Sequence, residues 1–349
     1  VSIKKVAVIG EFAYLFYEPA FVKSLLKLGI EVVELRTKFS NKLLSFILKL
    51  EDYFSIIGPA TFFLHVKFRN SVKKNQPDLI FFWRPSLISP KLIQCLRKDC
   101  PNSQIVNYNN DNPFGKAYQQ RSFRLKRLWI HFKKSIPFFD VNIVYRNANI
   151  NDYNIAGSIK TILFPPAFVP ELIPDLSGID YRYDVVFIGY AEQKRLDYIN
   201  FLISKGIQIK IFGTGWELQK IHPSYRFGTI ISAHGKAYYQ ALRSARINLA
   251  FLSDLNEDVY TRRNFEIPGM GGLMLSERTK ELTSLFIEGK EAFFYSNPEE
   301  LLEQINSILA NQNLQNEVRI NAKNKCKDAG YDMDSRVIKL LHDLGNRME

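Results

Sequence analysis

Two series of short apolar runs, each ending at a glycine or polar turn and leading into a segment of helical length, divide this chain of 349 residues. In the first, an apolar run at 6–9 meets the turn Gly10-Glu11-Phe12, a helix is predicted over 19–28, Gly29 stops it, and a strand follows at 31–35. In the second, a run at 183–189 ends in glycine, a helix is predicted over 193–205, Gly206 stops it, and a strand follows at 207–212. Such alternation restricts the chain to parallel sheets, because parallel neighbours need a long crossover and the helix supplies it. In sheets of this kind ligands bind outside the carboxyl ends of the strands. The turns that follow the runs are therefore where chemistry is expected. No G-x-G-x-x-G follows the first run, so a dinucleotide site there is not expected.

Pro165, Pro166, Pro170 and Pro174 put four prolines in ten residues, which suits a stiff, extended linker. The expected organisation is a first domain at 1–168, a proline-rich linker at 169–182, a second domain at 183–330, and a C-terminal helix at 331–349 that packs back on the first domain. Further strands are expected at 79–83, 104–108, 140–145, 161–164, 247–251, 273–275 and 292–295. Gly58-Pro59 breaks an apolar and basic stretch into two helices, with Leu43, Leu44, Phe46, Ile47, Leu50 and Phe54 on one face of the first. Thr279 and Ser296 are read as helix caps.

Charge separates the halves. Residues 1–170 carry 25 Lys+Arg against 11 Asp+Glu, a net +14, whereas 171–349 carry 22 against 24, a net −2. The basic half points to an anionic partner: a membrane surface, an acidic glycan or nucleic acid. Nucleic acid is not expected, because no recognised motif accompanies the charge. No run approaches 18 apolar residues, and the first ten residues read as a buried strand, not a signal peptide. Three cysteines do not make a disulfide framework and fit a cytoplasmic protein; the five histidines form no metal-ligand pair, so no metal is expected.

The densest chemistry lies at 260–277, Y-T-R-R-N-F-E-I-P-G-M-G-G-L-M-L-S-E. Arg262 and Arg263 offer planar donors to phosphate oxygens. Glu266 can accept from ribose hydroxyls, and Gly271-Gly272 lets a ligand approach the backbone. The same residues also read as an ion-pair cluster followed by an ordinary helix end. Gly213-Thr214-Gly215, after the strand at 207–212, either turns backbone N–H groups toward a nucleotide or is a bare turn.

Arg263-x-Phe265-Glu266, Gly271-Gly272, Ser276-Glu277-Arg278-Thr279-x-Glu281-Leu282, Leu285-Phe286, Glu288-Gly289-Lys290-Glu291-Ala292 and Pro298-Glu299-Glu300-Leu301 together resemble the C-terminal domain of CgeB-like, spore-maturation-type glycosyltransferases. The resemblance covers about the last third of the chain. It implies an α/β chain of the GT-B class: two facing Rossmann-like parallel-sheet domains with a cleft between them. It also implies a nucleotide-sugar donor on the second domain, with no cofactor. Many retaining GT-B enzymes carry two glutamates separated by seven residues; Glu266 matches the second, but Asp258 stands at the first, which puts the role of Asp258 in doubt.

On the first domain, Glu11, Arg84 and Asp111 each follow a predicted strand. Glu11 reads either as a substrate contact or as a turn carboxylate. Arg84 reads as a ligand for an anionic group or as an arginine tied to a loop carboxylate. Asp111 lies in Asn109-Asn110-Asp111-Asn112-Pro113, a stretch rich in side chains that build turns. CgeB-like chains carry a similar Tyr…Asp-Asn-Pro, which makes Asp111 the candidate general base in an inverting reaction.

Residues 119–136 place Leu125, Leu128, Trp129, Phe132 and Ile136 on a helical stripe among Arg121, Arg124, Lys126, Arg127, Lys133 and Lys134, without an acid. This reads as a core-packed helix with a basic outer face, or as a helix lying on an anionic membrane.

These readings assign Glu11, Asp111 and Arg263 to catalysis, and Gly213, Thr214, Gly215, Asp258, Arg262, Arg263, Glu266, Gly271 and Gly272 to the donor. They describe a metal-independent transferase acting on a glycan or lipid-linked acceptor, cytoplasmic and in contact with the inner face of the membrane. Two alternatives remain: a nucleotide-sugar epimerase, and a non-catalytic binding protein on the same fold.

Overall fold

The strand Leu79–Trp83 is apolar at every position and buried at every position, as a strand covered on both faces must be. It is one of six parallel strands, together with β1 (Lys5–Gly10), β2 (Glu31–Arg36), β4 (Gln104–Asn109), β5 (Val141–Val144) and β6 (Thr161–Leu163); Leu79–Trp83 is β3. The sheet order is β2-β1-β3-β4-β5-β6. The edge strand β2 keeps Glu31, Glu34 and Arg36 exposed, which protects an open edge from further pairing.

This computed structural model describes residues 3–116, 123–254 and 256–345. The chain divides into two units: Val1–Pro165 with Asp254–Glu257 and Met333–Glu349, and Pro166–Ser253 with Asp258–Asp332. The second unit holds five parallel strands, β7 (Tyr183–Ile188), β8 (Ile209–Phe212), β9 (Ala245–Ala250), β10 (Met274–Glu277) and β11 (Phe293–Tyr295), ordered β11-β10-β9-β7-β8. Each unit has its own apolar core. In both, the strand order reverses beside the first strand: between β1 and β3, and between β7 and β9. Helices leave opposite faces of the sheet there, and the strand ends open into a crevice.

Helix limits follow local chemistry. Helix α1 (Glu18–Lys27) starts at an acid and a proline; α2 (Lys42–Phe54) is capped by Asn41, which accepts from Leu44 N; α3 (Pro59–Asn75) opens on proline. Thr279 caps the helix Lys280–Leu285. The helix Pro298–Ala310 is capped by Asn297, not Ser296; the amide oxygen of Asn297 accepts from Glu300 N at 2.8 Å.

Two features depart from the sequence reading. The stretch 119–136 is not one helix. Phe123–Arg127 and Ile130–Ser135 are separate short helices, followed by a 3-10 turn at Ile136–Phe138; residues 119–122, Arg121 among them, lie outside the described residues. Leu128, Trp129, Phe132 and Ile136 are buried in the first core, so the apolar stripe is spent on folding and is not available to lipid. The proline segment begins anchored: Phe168 is buried, its N–H donates to Tyr331 O at 3.2 Å, and its ring fills the space where a side chain at Gly269 would sit. The helix Met333–Gly345 lies in the first unit against α1, where Ser24 Oγ and Lys27 Nζ each donate to Asp334 at 2.5 Å. Among the described residues no helix is long and apolar enough to cross a membrane.

Candidate functional site

In the first unit, β1, β3 and β4 deliver Glu11, Arg84 and Asp111 to one place. Arg84 Nε donates to Asp111 at 2.6 Å, and its Nη1 lies 4.0 Å from Glu11. Its guanidinium stacks 5.2 Å from the Trp129 ring. Asp111 also accepts from Asn256 Nδ2 at 3.4 Å, and its own N–H donates to Asn109 Oδ1 at 3.1 Å. The stretch is a turn built by side chains, and it presents the Asp111 carboxylate at a strand end. Arg84 and Asn256 each hold one oxygen of that carboxylate, and each oxygen keeps a further lone pair with which to accept. Arg84 is tied to a loop carboxylate and yet stays about a third exposed.

Beneath Arg84 lies a cavity of about 690 Å³. Ile9, Leu64, Phe68 and Phe82 line its apolar part, and Glu11, Lys38, Lys49, Arg84 and Arg124 its polar part. His65 also lines it. Burial pushes this imidazole below its ordinary value, so the ring stays neutral while Nε2 sits 3.0 Å from Leu87 O. The turn after β1 is closed by the chain itself. Glu18, buried at the start of α1, accepts from the N–H groups of Glu11 and Phe12 at 3.0 and 3.3 Å. An internal carboxylate therefore occupies the helix N-terminus where a dinucleotide fold would place phosphate. Burial raises the pKa of Glu18, against the hydrogen bonds it accepts.

In the second unit, the sequence-predicted residues separate by role. Glu266 lies in the short helix Arg263–Gly269 and is 1% exposed. It accepts from Tyr238 Oη at 2.8 Å and Tyr239 Oη at 3.4 Å, and it is ion-paired with Arg262. Burial raises both tyrosines above their ordinary value, which keeps them protonated as donors. Arg262 and Glu266 are thus first of all partners of each other. Arg263 differs: it is half-buried, and its Nε is buried without a hydrogen-bond partner. Gly271 ends the helix at φ +82, and the N–H groups of Gly271 and Gly272 donate to Pro268 O and Ile267 O. A side chain at Gly272 would meet Ile267 O at 3.0 Å and Asn248 Nδ2 at 3.1 Å. The glycine pair is therefore a helix end packed on β9, and its close approach is to the protein itself.

Gly213-Thr214-Gly215 likewise makes close contacts within the protein. The N–H of Gly213 donates to Ile231 O at 3.0 Å, and Thr214 O accepts from Ala191 N at 3.1 Å. At Gly213, φ is +144, and a Cβ there would lie 1.9 Å from Gly189 O. The loop after β8 is thus zipped to the loop after β7, and Gly213 has no N–H left for a ligand. Asp258 donates its N–H to Ser253 O at 3.1 Å, and its carboxylate acts on the charge of Arg195.

Motif reading passed over Arg195 and Lys194, and it quoted Glu277 only as part of the pattern, without a role. Arg195 is buried; it donates to Tyr190 O at 2.9 Å and Leu252 O at 3.1 Å, and it pairs with Glu192. It thereby ties the carboxyl ends of β7 and β9 together at the switch point. Burial, and next the charge of Arg263, lower its pKa, and its Nε too lacks a hydrogen-bond partner. Glu277, at the end of β10, accepts from Leu252 N at 2.9 Å and Lys194 Nζ at 2.5 Å. The sequence did carry a signal: two cations in the first turn of the helix Gln193–Ser204 oppose the helix dipole. Arg195 feels the charge of Arg263, and each guanidinium has a buried Nε without a hydrogen-bond partner, an arrangement that can take an anion.

Residues 195–342 match a family described as glycosyl transferase-like. Among solved structures, the chain is similar to sucrose-phosphate synthase from Thermosynechococcus elongatus, with 14% identity and TM-score 0.65 over 99% of each chain. It is similar to Anabaena HepE in complex with UDP and glucose, with 12% identity and TM-score 0.64 over 98% of this chain and 100% of that one. It is also similar to a putative UDP-N-acetylglucosamine 2-epimerase from Listeria monocytogenes, with 11% identity and TM-score 0.58 over 99% of this chain and 97% of that one. No curated protein matches. At these identities the likeness is one of fold, and the two Rossmann-like parallel-sheet units are those of the GT-B class.

Proposed function

We propose that this chain transfers a sugar from a nucleotide-diphosphate donor to a glycan or lipid-linked acceptor, as a metal-independent glycosyltransferase of cell-surface polysaccharide synthesis. The observation that carries this reading is the span of the glycosyl transferase-like match. Residues 195–342 contain every donor-side candidate but Lys194: Arg195, Gly213 to Gly215, Asp258, Arg262, Arg263, Glu266, Gly271, Gly272 and Glu277. Support for uridine as the base comes from Anabaena HepE, whose structures hold UDP and UDP-glucose. Arg263, with its unpaired Nε, and Arg195 beside it take the charge that develops on the leaving diphosphate. Glu266 reaches ribose by exchanging a tyrosine hydroxyl for a sugar hydroxyl. On the acceptor side, Asp111 accepts the proton of the attacking hydroxyl, Arg84 holds an anionic group of the acceptor, and Glu11 contacts its sugar.

The CgeB-like subtype rests on the Arg263 to Leu301 motif, and a cytoplasmic site on the small and odd number of cysteines, three in the chain. The net +14 of residues 1–170 supports an acidic or lipid-linked acceptor at an anionic membrane. The Listeria neighbour favours a second reading, a nucleotide-sugar epimerase. The discriminating experiment incubates the chain with UDP-sugars, with and without polyprenyl phosphate or oligosaccharide acceptors, and follows UDP release and sugar configuration. Acceptor-dependent UDP release supports transfer. Altered configuration without acceptor supports epimerisation, and binding without turnover across all acceptors supports a binding protein.

A further inference from the structure

We infer that the α2–α3 hairpin of the first unit is a docking surface for an anionic lipid bilayer. Leu43, Phe46, Leu50 and Phe54 recur along α2 at intervals of three or four and are all exposed, Leu43 at 67% and Phe46 at 58%. That spacing draws a stripe along one face of a helix. At the other side of the turn, Phe62 and Phe63 are exposed at 60% and 56% in the first turns of α3. A patch of this length on the outside of a folded unit marks an interaction surface, since a soluble surface scatters such side chains singly.

Charge selects the occupant. The segment 38–75 carries seven Lys and Arg and two acids, Glu51 and Asp52. Glu51 is turned inward, where it accepts from the N–H groups of Ala60 and Thr61 and from Thr61 Oγ1. Asp52 accepts from Ser86 Oγ and lies 4.0 Å from Arg124. Arg127 Nε donates to Phe54 O, and the Arg124 guanidinium lies over the Tyr53 ring. Aromatic side chains on a hairpin rimmed by Lys42, Lys49, Lys67, Arg124 and Arg127 match the chemistry of a negatively charged lipid surface: apolar groups at the acyl boundary, cations at the phosphates. The inner side of the same hairpin contributes Leu48, Lys49, Tyr53, Leu64 and His65 to the wall of the 690 Å³ cavity. Docking there sets the mouth of an apolar, basic-rimmed cavity at the membrane. This deepens the lipid-linked acceptor reading and moves the apolar anchor from 119–136 to 43–63.

The test is flotation with phosphatidylcholine vesicles, with and without phosphatidylglycerol, at low and high salt. The wild-type chain should float with phosphatidylglycerol vesicles at low salt and lose binding as salt screens the attraction. The F54S/F62S/F63S variant, altered only at exposed positions, should bind about tenfold more weakly or less with its nucleotide affinity unchanged. All three native tryptophans are buried, so an F62W variant carries the one indole whose emission should shift to the blue when anionic vesicles are added. No binding to anionic vesicles at low salt, or equal binding by the triple variant, overturns the inference. So does an F62W shift that depends on protein concentration and not on lipid, which assigns the patch to a second copy of the chain. Vesicle binding needs no donor, so a failure of the glycosyltransferase reading leaves this outcome independent.

Discussion

Replacing Glu266 by alanine should destabilise the second unit by about 3–4 kcal/mol, near the lower end of what breaking a buried ion pair costs. The figure follows from its surroundings. The carboxylate is 1% exposed and serves Arg262, Tyr238 and Tyr239. Alanine leaves one guanidinium and two hydroxyls without that acceptor. The Arg262 side chain keeps 18% exposure, so water relieves part of its loss. For a unit of this size, such a loss lowers the melting temperature by on the order of 10 °C. Glu266→Gln keeps an acceptor for the tyrosines and should lose about half as much. In the double variant Arg262→Met with Glu266→Gln, no charge is left unpaired; its loss should fall short of the sum of the singles by about 1–3 kcal/mol. Differential scanning calorimetry on wild type, the two Glu266 variants, the single Arg262→Met and the double variant reads all of these. If Glu266→Ala stays within about 1 kcal/mol of wild type, or the double variant is additive, the Arg262–Glu266 pair is not formed in solution. The carboxylate is then free for a ribose without any exchange of partners.

Other outcomes follow from single contacts. Gly213→Ala adds a Cβ 1.9 Å from Gly189 O at φ +144 and should cost about 3 kcal/mol or more; Gly228→Ala, at φ +63 in open space, should cost about 1 kcal/mol, and urea unfolding compares them. Arg84→Gln removes the Asp111 ion pair and the Trp129 stack and should cost about 1–3 kcal/mol in the same assay. Burial works to raise the Asp334 carboxyl, but the Lys27 and Ser24 hydrogen bonds and the Lys27 and Lys23 charges outweigh it and hold it below its usual value. A carboxyl with a lowered folded pKa adds stability above its unfolded value, and the stability is lost as pH falls through the folded value. Protection factors for hydrogen exchange in 333–345, corrected for the intrinsic pH dependence, should therefore be high at neutral pH and fall below about pH 4, with Asp334→Asn abolishing that fall.

The strands were legible because each is a short apolar run closed by a glycine or polar turn, and 79–83 matched residue for residue. Which stripe faced the core was not. The apolar stripe at 125–136, readable either as core or as a lipid-facing surface, turned inward, whereas Leu43, Phe46, Leu50 and Phe54, read as one helix face beside Leu44 and Ile47, turned outward. The apolar residues of α2 cover more than half of its circumference, with Lys42, Ser45, Lys49 and Asp52 on the remaining side, so periodicity does not say which part of that broad face is buried. At the site, residue types were legible but hydrogen-bond allocation was not. Gly213 spends its N–H on Ile231, and Gly271-Gly272 spends its N–H groups on the helix before it. Arg195 escaped notice because two of its partners are backbone oxygens, that of Tyr190 and that of Leu252, the latter 57 residues away. Such contacts leave no mark on spacing.

The central claim is that the second unit binds a nucleotide-sugar donor through Arg263. Isothermal titration of the chain with UDP, UDP-glucose, GDP, TDP and CMP, repeated on Arg263→Gln, tests it most directly. The account predicts saturable binding of a uridine nucleotide, and a loss of about tenfold or more in Arg263→Gln, as expected for a charged hydrogen bond to phosphate, with an unchanged melting temperature. Binding of none of these nucleotides, or equal affinity in Arg263→Gln, contradicts it.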